Sequence, residues 1–261
     1  MRLGRFRLLA SILSGITAIA GVCIGFVVSS GPGQAAQGQP NIRTAAAGSA
    51  STVGALFLRS TTGQLTTHFC TGSVVDSPGG DLVVTAAHCL IGRTASQVVF
   101  IPEYAHGQRP FGVWLATQII EDPEWKSFSD ADDDFAFLIV HRRGTGTRLE
   151  TLTGGESLGV GASAGGTVQV AGYPDNLDGP ITCQNATRDY SATQFEFDCG
   201  GFTNGTSGSP LLAPAGPLGE TVIGVIGGYE QGGSTPSVSY AAKFSARMET
   251  LYRTALAIAH G

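Results

Sequence analysis

From Val53 to Lys243 the chain alternates short apolar runs with glycine-rich polar stretches, and no long helical period interrupts them. One series runs Val53 to Leu58, His68 to Val75, Asp81 to Ala86, Gln97 to Ile101, Phe111 to Ile120 and Phe135 to Val140. A second runs Thr167 to Gly172, Ile181 to Ala186, Gln194 to Asp198, Ser209 to Ala213, Thr221 to Ile226 and Ser237 to Lys243. Runs of this length, rich in β-branched and aromatic residues and bounded by turn residues, predict the strands of an all-β barrel or sandwich. Then the period changes. Ser245 to Ala259 brings Met248, Leu251, Tyr252, Ala255 and Leu256 onto one helical face, with Ser245 placed to cap the first turn.

The N-terminus reads differently. Arg2, Arg5 and Arg7 precede an apolar stretch from Leu8 to Val28, and the small residues up to Ala36 suit a cleavage site, so residues 1–36 are expected to be a secretory signal. The apolar stretch approaches the roughly 20 residues that span a bilayer, which leaves anchoring in a membrane through residues 8–28 as the alternative. Residues 37–52 are rich in Gly, Ala, Gln and Ser without apolar period, and are expected to form a flexible leader or short propeptide.

Removing residues 1–36 takes three of the 15 basic residues, leaving 12 against 20 acidic ones and a formal charge of −8. Without a basic stripe, nucleic-acid binding is not expected. Four cysteines remain in the mature chain, Cys70, Cys89, Cys183 and Cys199. An even number fits an oxidising compartment and leaves three pairings open. The spacings lack CxxC knuckles, so no zinc site is expected.

Candidate chemistry lies in three places. Asn204-Gly205-Thr206-Ser207-Gly208-Ser209-Pro210 is a glycine turn that presents a serine hydroxyl, and its glycines let the N–H groups of Gly205 and Ser207 converge on one oxygen. A serine hydroxyl is a weak nucleophile until a neighbouring base takes its proton. Val83 to Cys89 is a β-branched strand running into a small-residue turn that carries His88, and Asp132-Asp133-Asp134 opens the apolar run from Phe135. Asp134 is the preferred carboxylate because it abuts the strand.

The Thr-Ala-Ala-His-Cys box at 85–89, the Asp-Phe-Ala-Phe-Leu box at 134–138 and Gly-Thr-Ser-Gly-Ser-Pro at 205–210 resemble those of the chymotrypsin-like serine peptidases. The resemblance implies Ser207 as nucleophile, His88 as general base and then acid, Asp134 as the group that orients the imidazole, and an oxyanion hole from Gly205 and Ser207. It also implies two six-stranded antiparallel barrels, about 53–150 and 151–244, followed by the helix over 245–260, with a peptide-binding cleft between the barrels. Such a protein is a monomer that acts on protein or peptide substrates without a cofactor. The family links the strand before the histidine box to the cysteine after it, which pairs Cys70 with Cys89 and leaves Cys183 with Cys199. A catalytically silent binding protein on the same fold is the alternative function.

Two departures from the family pattern matter. Thr206 stands where zymogen-activated members carry an Asp that pairs with a new N-terminus, so cleavage before Val53 is not expected to be the switch. Ser209 and the cysteine placement are closer to bacterial glutamyl-endopeptidase-like members, yet Ile223 to Tyr229 lacks the histidine on which acidic specificity partly relies. Gly201 replaces the pocket Asp of trypsin-like members. An uncharged primary pocket is therefore expected, drawn from Gly201, Phe202, Ile226, Gly227, Gly228 and Tyr240. His68, His106, His141 and His260 lack metal-ligand spacing, Trp114 and Trp125 read as packing residues, and Asp130 to Asp133 as a solvated loop.

Overall fold

The computed structural model describes the backbone of residues 41–44 and the whole of residues 51–215 and 219–259. The expected signal segment lies outside these residues, and no helix among them is long and apolar enough to cross a membrane. Strand β1 (Asn41–Thr44) falls within the stretch read as a leader. Then β2 (Val53–Arg59), β3 (Leu65–Val75), β4 (Leu82–Thr85), β5 (Val98–Pro102), β6 (Trp114–Glu121) and β7 (Ala136–His141) close an antiparallel barrel in the order β2-β3-β4-β7-β6-β5.

A two-residue strand β8 (Ser157–Leu158) precedes the second set: β9 (Thr167–Gly172), β10 (Ile181–Asp189), β11 (Gln194–Asp198), β12 (Pro210–Pro214), β13 (Glu220–Ile226) and β14 (Val238–Lys243). These run β9-β10-β11-β14-β13-β12, and β12 pairs back to β9 to close a second barrel. The short β8 lies parallel to β13. The backbone of β1 pairs antiparallel with β10, Ile42 opposite Cys183.

Why the strands read as continuous apolar runs follows from where alternate side chains go. Along β2, β4 and β5, Ala55, Leu82, Val84, Val99 and Ile101 enter one cluster, while Leu56, Val83, Val98 and Phe100 enter another. Successive residues of a strand point to opposite faces, and here both faces are covered. The first cluster continues through Val222 and Val225 of β13 and Phe244, so it joins the barrels. The second fills the first barrel around Phe100 and Trp114, and Val168, Phe195, Phe197 and Leu211 fill the other barrel.

Among the described residues there are three α-helices: α1 (Pro123–Phe128), α2 (Leu149–Thr153) and α3 (Ala246–Ala259). In α3 the Arg247 N–H donates to Ser245 Oγ at 3.2 Å, as expected of an N-cap. Met248, Leu251 and Ala255 are buried, with Tyr252 and Leu256 packed beside them. The Tyr252 ring lies 5.8 Å from Phe137 and its hydroxyl donates to Asp76 O at 2.5 Å, so the helix returns from the second barrel to the first.

Candidate active site

His88 sits on a 3-10 turn, Ala87–Leu90, directly after β4. Val83, Val84 and Thr85 hold the strand extended, and the fully buried Ala86 and Ala87 leave room for the chain to fold back. Cys89 is bridged to Cys70 on β3, their Cα atoms 6.3 Å apart, which ties the histidine turn to its neighbouring strand. The second disulfide joins Cys183 on β10 to Cys199, with Cα atoms 6.2 Å apart. Cys70, His88 and Cys89 place three potential ligand atoms within 4.8 Å of one another, but both sulfurs are consumed by the bridge.

Asp134 follows the 3-10 turn Ala131–Asp133 and is fully buried. Its Oδ2 lies 2.7 Å from His88 Nδ1 and accepts the Gly228 N–H at 2.8 Å, while Oδ1 accepts the His88 backbone N–H at 2.8 Å. These donors offset the cost of burying the carboxylate. With Nδ1 facing an acceptor, the imidazole carries its proton there and leaves the Nε2 lone pair free. The neighbouring aspartates have other partners. Asp132 Oδ1 accepts from Gln194 Nε2 at 2.8 Å. Asp133 is buried rather than solvated as its loop was expected to be, and burial together with the charge of Asp122 pushes its carboxyl up to about 6 against the attraction of Arg247, 3.7 Å away.

The serine turn is knitted from within. Thr206 donates to Thr203 O through both N–H (3.1 Å) and hydroxyl (2.7 Å), and Ser209 donates to Thr206 O through N–H (3.0 Å) and hydroxyl (2.6 Å). Thr71, fully buried on β3, stitches the turn to the first barrel. Its N–H donates to Ser207 O at 2.8 Å and its hydroxyl to Gly205 O at 3.0 Å, while it accepts the Tyr173 N–H at 3.0 Å. The Cys89 sulfur lies 3.8 Å from Ser207 O, so the serine turn sits beside the histidine turn. Gly205 (φ +93°) and Gly208 (φ +84°) cannot be replaced at no cost: a Cβ on Gly205 would come within 2.6 Å of Asp175 N, and one on Gly208 would collide with the Thr71 carbonyl.

Two N–H groups stay unspent. In a trans peptide the N–H points opposite to the preceding carbonyl. Asn204 O is held by Asp175 N–H at 2.7 Å and Thr206 O by Ser209, so the N–H groups of Gly205 and Ser207 are turned away from those partners. Neither finds an acceptor among the described residues, whereas the N–H groups of Thr206, Gly208 and Ser209 all do.

A cavity of about 350 Å³ opens beside Ser207, lined by Phe202, Thr203, Asn204, Thr206, Ile226 and the segment Gln231 to Pro236. Among the described residues, no charged side chain or histidine lines it. Of the pocket residues expected from sequence, Phe202 and Ile226 line this cavity. Gly227 packs against Asp134, Gly228 donates to it, Gly201 is exposed at φ +82°, and Tyr240 lies against Tyr190 and Tyr229 at 4.7 and 5.0 Å. Sequence reading missed Thr71 and the Gly232-Gly233-Ser234-Thr235 wall, although the glycine pair marked a turn close behind the pocket strand. A larger depression of about 820 Å³, between the Asp130 loop and the start of α3, contains neither His88 nor Ser207.

Two closed six-stranded antiparallel barrels, with a His–Asp pair from one and a serine turn from the other, define the architecture of the chymotrypsin-like serine proteases. The family model described as Trypsin matches residues 40–249, and the chain belongs to that family. Among solved structures it is similar to the protease Anisep from Arthrobacter nicotinovorans, with a TM-score of 0.69 and 23% identity over 83% of this chain and 100% of that one. The thermostable serine protease AL20 from an extremophilic microorganism gives 0.67 and 24% over 80% and 98%, and a Glu endopeptidase gives 0.64 and 16% over 84% and 98%. No curated protein sequence matches the chain.

Proposed function

We propose that the chain is a secreted serine endopeptidase in which Ser207, His88 and Asp134 act as one unit. The observation that carries this reading is the buried Asp134–His88 pairing beside a serine turn with two uncommitted N–H groups. His88 Nε2 takes the Ser207 Oγ proton as the oxygen attacks the scissile carbonyl. Asp134 stabilises the imidazolium that forms, and the Gly205 and Ser207 N–H groups receive the oxyanion. The imidazolium then protonates the departing amine, the acyl ester remains on Ser207, and a water activated by His88 releases the acid.

Activation needs no new N-terminus. The Thr206 hydroxyl is satisfied by Thr203 O, and Val53 opens β2, already paired with Ser73 of β3. The uncharged lining argues against Arg, Lys or Glu as the primary specificity residue, because a charge buried there would lack a partner. Two disulfides and the basic-apolar N-terminus support export.

Labelling of the purified protein with a fluorophosphonate tests the assignment. Wild-type protein is expected to react at Ser207, and Ser207→Ala and His88→Ala to lose the label. A folded wild-type protein that does not react would leave a binding role on the same fold.

A further inference from the structure

The exposed turn 175–178, between β9 and β10, is gripped by both barrels. Within it the Leu177 N–H donates to Pro174 O at 3.1 Å. The Asp175 N–H donates to Asn204 O at 2.7 Å, and so turns the Gly205 N–H the opposite way. Gly205 does not fix that orientation by itself, because a glycine at φ +93° tolerates rotation of the adjoining peptide. The bond from Asp175 therefore decides which way the peptide faces. The other anchors belong to the first barrel. Asp178 Oδ1 accepts the Tyr104 hydroxyl at 2.5 Å, and Asp178 O accepts the His106 N–H at 2.7 Å. Leu177 O lies 2.9 Å from Nε2 of His68 on β3.

His68 is a costly residue for its place. It is nearly inaccessible to solvent in a cage of Phe57, Tyr104 and Tyr173, whose ring centroids are 5.7, 6.2 and 6.0 Å away. Since Leu177 O can only accept, Nε2 carries the proton, and Nδ1 is left buried with no partner among the described residues. A hydrocarbon side chain would fill the cage without that unpaired nitrogen. What the imidazole adds is one N–H for the turn. We infer, resting on the peptidase reading, that turn 175–178 is a strap that holds the oxyanion-hole peptide in its working orientation, and that His68 is the positioning residue that seats the strap. The arrangement does without a carboxylate for a new N-terminus to pair with: Thr206 stands at that position, and the peptide one residue back is held from outside. The hole is thus formed by folding rather than by cleavage. Because the oxyanion exists only after attack, loosening the strap weakens transition-state binding and leaves ground-state binding alone.

The test compares the purified protein with His68→Met and His68→Gln, two side chains of like shape of which only glutamine can donate to Leu177 O. Each is assayed on one peptide anilide that wild type cleaves, with active sites counted by fluorophosphonate labelling carried to completion. His68→Met is expected to lose about tenfold in kcat with KM within about twofold of wild type, a fraction of what deleting an oxyanion donor costs. His68→Gln should recover most of that loss. Tyr104→Phe, which removes the Asp178 anchor and keeps the ring, should lower kcat in the same sense by about threefold. An unchanged kcat in His68→Met, an equal fall in both His68 variants, or a rise in KM without a fall in kcat overturns the inference and leaves the peptidase reading standing. Should His68→Met fail to fold, an unchanged kcat in Tyr104→Phe overturns it as well. A folded wild-type protein that neither labels nor cleaves any peptide overturns both.

Discussion

Asp134 is where several requirements meet in one residue. It accepts two N–H groups from His88 and one from Gly228, so it fixes both the imidazole tautomer and the position of the turn that bears it. Asp134→Asn keeps the size but presents an N–H in place of a carboxylate oxygen. The expected result is a fall of about 10⁴-fold in kcat with little change in KM, read from initial rates on a cleaved peptide. Thr71 is a positioning residue of a different kind. Thr71→Val deletes its bond to Gly205 O and orphans the Tyr173 N–H. That should lower stability by about 1–3 kcal/mol in urea unfolding and slow fluorophosphonate labelling of the protein that remains folded. A variant as stable and as reactive as wild type would show that the stitch is idle. His88, Asp134 and Ser207 could be nominated from the sequence because each stands in a short motif whose neighbours reveal its local backbone. Thr71 could not, since its importance lies in partners from distant segments, and spacing along the chain does not record that.

At the level of elements, the twelve strands expected from the pattern are those that close the two barrels, with ends shifted by a few residues. They were readable because burial on both faces makes strands such as β4 and β5 continuous apolar runs, and the rest are bounded by glycine-rich turns. What escaped was short. Helix α1 has six residues and a clear start, with Asp122 Oδ1 accepting the Glu124 N–H at 2.8 Å before Pro123, a capping signature that the strand pattern overshadowed. Strand β1 has four residues and no apolar period to announce it, because backbone pairing to β10 accounts for it. The strand interiors make their own prediction. Phe100 of β5 is fully buried among Leu56, Val98 and Trp114. Phe100→Ala should cost about 3–5 kcal/mol in denaturant unfolding, from lost transfer energy plus the cavity left behind. A loss below about 1 kcal/mol would mean that the barrel collapses around the gap.

At the scale of the whole molecule, Asp133 gathers charge from three places: Asp122 before α1, Asp130 and Asp132 on its own loop, and Arg247 from α3. Its carboxyl is raised from 3.8 to about 6, so the folded chain holds the proton more tightly than the unfolded one. The stability this group contributes is therefore present in acid and is lost as pH climbs from about 4 through about 6. Asp133→Asn escapes that loss. Its Tm should exceed that of wild type by roughly 2–4 °C at about pH 7.5, with the gap closing near pH 4. A gap independent of pH would assign the effect to packing instead. The same region bears on how the molecule comes into being. The cluster joining the barrels needs Ala55 and Phe57 from the start of the domain and Met248, Leu251 and Ala255 from its end. During synthesis, the outer face of the first barrel stays bare until α3 has been made. A premature stop just ahead of Met248 would thus remove the latch and expose an aggregation-prone seam, rather than trim a dispensable tail.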